Sequence, residues 1–98
     1  MPAITLSGSA EQLMPENKLR KSFVIQNEDA SINVFIKAEE PDGLTVSTTD
    51  HDHRIGPGGS LDLADGRDGL AQIQSRYTIV PASGTPLVSV FETESIQR

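Results

Sequence analysis

The chain has no cysteine, no tryptophan, one tyrosine and three phenylalanines. Without cysteine there is no disulfide framework, no thiolate metal site and no cysteine nucleophile. Without tryptophan the core must be mainly aliphatic, and aromatic platforms for stacking a sugar ring are scarce. No apolar run reaches the roughly 18 residues that a membrane-spanning helix needs, so no membrane partner is expected. The Met1-Pro2-Ala3 start lacks the basic and apolar regions of a signal peptide, so none is expected. Basic residues are in the minority, 8 against 14 acidic, and the formal charge is −6. Phosphate backbones repel such a chain, so nucleic acid is not expected as a partner.

What is present reads as one domain spanning 1–98, with a short N-terminal arm and a polar C-terminal tail. Leu, Ile, Val and Phe make up about a quarter of the residues, above the ~20% level below which disorder is the better reading. A chain of this size buries roughly two-thirds of its unfolded surface, so its core is adequate but not generous. The clearest structural signal lies in Arg20 to Ala38. Lys21 to Gln26 and Ile32 to Lys37 are rich in β-branched and aromatic residues, and Asn27-Glu28-Asp29-Ala30-Ser31 between them suits a turn. Phe23 and Ile25 share one face of the first run. Ile32, Val34, Ile36 and Ala38 share one face of the second.

Further strands are expected at Ala3 to Ser7, with Ile4 and Leu6 on one face, and at Leu44 to Thr48, Ser60 to Leu63, Arg76 to Val80 and Leu87 to Glu92. In the last of these Val88 and Val90 oppose Leu87, Ser89 and Phe91. Ser9 followed by Gln12 resembles a capping box, which predicts a helical turn over Ala10 to Met14, stopped by Pro15. Thr49 to Arg54 reads as a polar loop or an exposed edge. Leu70 to Ser75 fits either a strand or a loop with a helical turn. Short strands at close spacing, Gly/Pro turns and no βαβ rhythm define the fold class. It is all-β, a small antiparallel β-sandwich or jelly-roll-like barrel of six to seven strands.

No group of residues makes a convincing chemical site. Asp50-His51-Asp52-His53 could aim two imidazoles at one ion if extended, but a metal needs two more ligands and a solvated loop is simpler. Asp62, Asp65 and Asp68 do not follow the calcium-loop spacing. Gly56-Pro57-Gly58-Gly59-Ser60 lacks the Lys-Ser/Thr of a phosphate loop and does not match a nucleophile elbow. Glu39-Glu40 is a charge pair beside a turn. No catalytic residue, metal or cofactor is expected.

Three segments in order carry a family resemblance. They are Arg20 to Asn27 (RKSFVIQN), Ile55 to Leu63 (IGPGGSLDL), and Ala82-Ser83-Gly84-Thr85 followed by Val88 to Glu92 (VSVFE). Together they resemble a broad group of small all-β structural proteins of tailed bacteriophages, which includes capsid cement, or decoration, proteins. Arg67 to Ser75 departs from that pattern as extra sequence. The resemblance implies a non-enzymatic protein on the outer capsid surface of the virion that bridges adjacent major capsid proteins, most simply as a homotrimer. Candidate interface residues are Lys18, Arg20 and Lys21, whose charge suits an acidic shell, with Ile4 and Leu6 in the first strand. A solvated loop is an equally good account of the basic run. A tail or head–tail accessory protein, or a free ligand-binding sandwich, are the competing expectations.

Overall fold

The computed structural model describes residues 3–64 and 68–94. In chain order the elements are β1 (Ala3–Thr5), β2 (Glu11–Met14), β3 (Arg20–Asn27), β4 (Val34–Ala38), β5 (His53–Ile55) and β6 (Ser60–Ala64). Then come α1 (Leu70–Gln74), β7 (Tyr77–Pro81) and β8 (Leu87–Glu94). The chain is all-β. Two four-stranded antiparallel sheets, ordered β1-β8-β3-β6 and β2-β7-β4-β5, form an arrangement compatible with a small β-sandwich. The pairings nest: β4 meets β5, β3 meets β6, β2 meets β7, and β1 meets β8. Two further ladders, β3 with β8 and β4 with β7, complete the sheets.

Both sheets contribute to one core. Phe23 and Ile25 on β3, Val34 and Ile36 on β4, Ile79 on β7 and Val88 and Val90 on β8 are all buried, as their period-two spacing requires. Leu63 of β6 is buried with them, while Leu61 packs against the cluster from its margin. Phe23 and Tyr77 meet at 5.2 Å between ring centroids, tilted by 58°, a favourable aromatic geometry.

Two local expectations are corrected here. Ala10 to Met14 contains a strand rather than a helical turn. Glu11 and Gln12 pair with Ile79 and Thr78, and a bulge before Met14 lets Leu13 and Met14 both turn inward. Leu44 to Thr48 is not a strand. Leu44 is 49% exposed and Val46 alone is buried, in a loop whose only ladder-like contact is the isolated bridge between Ser47 and Asp50. Thr49 to Arg54, expected as a polar loop or an exposed edge, ends in such an edge: His53 and Arg54 join Ile55 in edge strand β5 against Val34 to Ile36. With β2 and β5 added, the described residues hold eight strands rather than six to seven. The turn residues Asp65, Gly66 and Arg67 and the tail beyond Glu94 lie outside the described residues.

The segment before β7 holds the single-turn helix α1. Five residues cannot form a stable helix alone, and the last carbonyls of a helix lack partners within it. Here each is taken up from outside. Ser75 Oγ donates to Ala71 O at 2.6 Å, Tyr77 Oη to Gln72 O at 2.7 Å, Arg20 Nη1 to Ile73 O at 2.9 Å, and the Asn17 amide to Gln74 O at 3.0 Å. Ile73, fully buried, plugs this end of the core.

At the opposite end Asn27, also fully buried, ties two connections together. Its side-chain amide donates to Ile32 O at 2.6 Å, Gly56 O at 3.1 Å and Ile55 O at 3.2 Å, and its Oδ1 accepts from the Asp29 amide at 3.0 Å. Gly84 lies close by with φ of 66°, a conformation side chains resist, and a Cβ there would stand 3.2 Å from Ile32 Cδ1.

A candidate docking surface

The expected interface residues separate in the structure. Lys18 and Lys21 are exposed, Lys18 in the turn before β3 and Lys21 at a bulge in it. Arg20, between them, points the other way and is 1% exposed. Its Nη1 donates to Ile73 O at 2.9 Å and Ser75 O at 2.8 Å, its Nη2 to Pro15 O at 2.7 Å, and its Nε to Glu92 Oε1 at 3.1 Å. An Nη2–Glu92 ion pair of 2.9 Å completes the set. Arg20 is thus an internal tie among β2, β3, β8 and α1, and has nothing left to offer a partner. Leu6 is likewise corrected: at 1% exposed it belongs to the core, while Ile4 is half-buried at the margin.

Three residues of the Asp50 to His53 cluster are engaged in structure, and His53 is exposed in β5. His51 stacks on Phe35 with centroids 4.6 Å apart, and its Nδ1 meets Ser47 O at 3.1 Å, so it carries the proton in that contact. Asp50 pairs with Lys37 at 2.8 Å, which raises the Lys37 pKa. Asp52 Oδ2 accepts from the Ala38 amide at 2.9 Å. Among the described residues no three His, Asp or Glu side chains gather as a metal site would require. Glu39 has a comparable role. Burial pushes its carboxyl up, but donors from Thr45, Thr78 and Val46 outweigh that and bring it down to about 2.

What remains available is the outward face of the first sheet. The registers place it in rows: Thr5 beside Leu87, then Ala3, Ser89, Gln26 and Ser60, then Phe91, Val24 and Asp62, then Thr93, Ser22 and Ala64. Asp62 is the only charged side chain in these rows. Phe91 is 46% exposed and Leu87 41%, with Val24 half-buried beside Phe91. Glu28 bounds the face at one end, accepting from Ser89 Oγ at 2.7 Å. A chain this acidic would be expected to spread charge over a solvated sheet. Depletion of charge around exposed aromatic and aliphatic side chains is the composition of an interface centre.

Around the edge of the same sheet runs a groove of about 430 Å³ lined by Ile4, Leu13, Met14, Pro15, Val90, Phe91 and Glu92. Phe91 therefore touches both the face and the groove. The sequence carried part of this signal, since Leu87 and Phe91 fall opposite Val88 and Val90 in a strand whose other face must be the core. It gave no hint of the groove, which needs the bulged end of β2 to stand beside β8. Comparison with protein-family models, with curated proteins and with solved structures returns no match to this chain.

Proposed function

We propose that the protein is a non-enzymatic structural component of a tailed-bacteriophage virion, a capsid cement protein that seats on the outer shell and bridges adjacent major capsid proteins. The observation that carries the reading is the outward face of the first sheet, with Phe91 and Leu87 exposed in rows that hold Asp62 as their only charge. A face of this composition is suited to lie against protein, and its breadth across four strands suits bridging.

Three further features support the reading. The strand orders β1-β8-β3-β6 and β2-β7-β4-β5, with their nested pairs, are those of a chain doubled on itself and rolled into two Greek keys. We infer a jelly roll, an architecture that recurs in viral shell proteins. The three sequence segments that resemble phage structural proteins fall on β3, on the β5–β6 connection with β6, and on the β7–β8 connection with β8, all three reaching the proposed face. Net charge of −6 suits an outer shell surface rather than one facing packaged DNA. Self-association as a trimer would bury a share of the apolar face that a small core leaves exposed.

The test is to purify particles and ask whether the protein accompanies them in a fixed ratio to the major capsid protein. Protein stripped from the shell and added back should rebind and raise the temperature at which DNA is released. Phe91→Asp should keep the fold and abolish rebinding, and Lys18→Ala with Lys21→Ala should weaken it. Presence at the tail alone, or rebinding by Phe91→Asp at the wild-type level, would refute the reading.

A further inference from the structure

The registers fix what lies on the outside of the second sheet. Val34, Ile36 and Ile79 point into the core, so Phe35 of β4 points outward and faces Val80 of β7 across the ladder, with Lys37 facing Thr78 in the next outward row. The first sheet has the same kind of pair, Val24 facing Phe91, with Phe91 46% exposed. On the second sheet the pair is covered: Phe35 is 8% exposed although it stands outside the core cluster. The cover is the connection from β4 to β5. Its His51 stacks on Phe35, and its Val46 is buried without joining the core.

This connection is attached unlike a strand. Among the described residues, the backbone-to-backbone bonds of 40–51 stay inside the segment: the Gly43 amide donates to Glu40 O at 2.8 Å, and Ser47 and Asp50 exchange bonds of 2.8 and 3.2 Å. The ties to the sheet come from three charged side chains in or beside its strands. Arg76 Nη1 donates to Glu40 O at 2.7 Å and Gly43 O at 2.6 Å. Glu39 accepts from the Thr45 and Val46 amides. Lys37 Nζ donates to Thr45 Oγ1 and Asp50 Oδ2, both at 2.8 Å. Few apolar contacts and hydrogen bonds at the surface mark a segment that opens at lower cost than the core. Its ends are fixed where Ile36 pairs with His53, so opening leaves that ladder in place.

We propose that residues 40–51 form a hinged strap that opens as one unit while the sandwich stays folded, and that opening uncovers the Phe35–Val80 pair. Closed, the molecule offers one apolar face. Open, it offers two, on opposite sides. Thr45 is shared between Lys37 and Glu39, so release at one end of the strap loosens the other. The strap does not depend on the virion reading and is tested on the isolated protein.

The test is amide hydrogen exchange of the wild-type chain in low concentrations of urea. The Gly43, Thr45, Val46 and Ser47 amides should share one protection factor, roughly a hundredfold below that of the β4–β7 ladder. Their exchange should respond weakly to urea and that of the ladder steeply, because strap opening exposes little surface. Arg76→Met and Lys37→Met release opposite ends of the strap. Each should speed all four amides by one common factor, about threefold to tenfold. Replacing residues 40–51 with Gly-Asn-Gly leaves the strap out altogether. The shortened chain should fold, bind the fluorescent probe ANS several-fold more brightly than wild type, and lose that gain when Phe35→Thr is added. A strap that shares the ladder's protection and urea slope would overturn the proposal, as would variants that speed only the amides nearest the change. So would a shortened chain that fails to fold, or one whose ANS signal matches the wild type.

Discussion

Replacing Arg20 with methionine tests whether the centre of the structure has been understood. Methionine fills a similar volume and keeps the stem's packing, so the change removes the guanidinium and little else. Three main-chain acceptors then lose their donor: Pro15 O, Ile73 O and Ser75 O. A buried acceptor left unsatisfied costs about 1–3 kcal/mol. The site allows some access, since the Glu92 side chain is 30% exposed and can recover water. Taking the lower half of the range for each acceptor gives about 4 kcal/mol, comparable to the 3–5 kcal/mol for breaking a buried charge pair. A domain of this size has about 5–15 kcal/mol in all, and each kcal/mol moves Tm by about 4–8 °C, so the fall should be roughly 15–30 °C. Urea unfolding gives the free energy and amide exchange gives its location. The α1 amides should lose protection before the β3–β8 ladder does. Arg20→Lys should recover less than half of the loss, because an ammonium cannot reach acceptors spread around a planar fork. A loss below about 1 kcal/mol in the methionine variant, or full rescue by lysine, would refute the argument that α1 depends on this side chain.

Ile36 is fully buried between β5 and β7, so Ile36→Ala should cost about 2–5 kcal/mol in urea unfolding, and a loss below about 0.5 kcal/mol would show that the inward face is misassigned. Glu39 should make stability depend on acid. Its folded pKa of about 2 lies below its ordinary 4.5, so its contribution is complete above pH 4.5 and is lost as pH falls toward 2. Glu39→Gln should flatten the urea midpoint across that window, and amide exchange at Thr45 and Val46 should rise in the variant at neutral pH. Gly84→Ala should destabilise by about 1–2 kcal/mol through its φ of 66° and its contact with Ile32, whereas at Gly58, where φ is 73° but a Cβ meets open space, the cost should be the backbone term alone, about 1 kcal/mol.

The parts of the fold that were legible are those where one physical signal acted alone. β3, β4 and β8 alternate because one face of each meets the core, and nothing in them competes with that pattern. β2 was obscured by a local rule that tertiary pairing overrode: Ser9 and Gln12 suit a helix start, but Gln12 is held opposite Thr78, and the bulge breaks the alternation that would have marked a strand. Leu44, Val46 and Thr48 had the period but, Val46 apart, not the burial, because the Glu39 carboxylate, not a neighbouring strand, holds that loop. Arg20 was hidden for the opposite reason. A charged residue in a basic run is expected in water, and only the uncapped carbonyls of α1, arriving from 53 residues away at Ile73, give it a reason to be inside. The outward face of the first sheet was half visible, in Leu87 and Phe91. Its low charge required knowing which strands lie side by side.

The nested pairing sets an order of assembly. Ile36 meets His53, Val24 meets Asp62, Gln12 meets Thr78 and Ile4 meets Val88, each pair enclosing the one before. Closing the outermost loop directly from an unfolded chain costs the most entropy, but once an inner pair holds, the next closes only the 8 to 16 residues added on each side. Assembly from the middle outward therefore meets the smallest barrier at every step, and the first and last strands join at the end. Because so many contacts are distant in sequence, the whole process belongs to the millisecond-to-second range. Weakening Ile36 should slow refolding, while weakening Ile4 should leave refolding unchanged and only hasten unfolding. The edge strand that docks last is β1, against Leu87 to Ser89 of β8, so this side of the molecule stays accessible longest during folding.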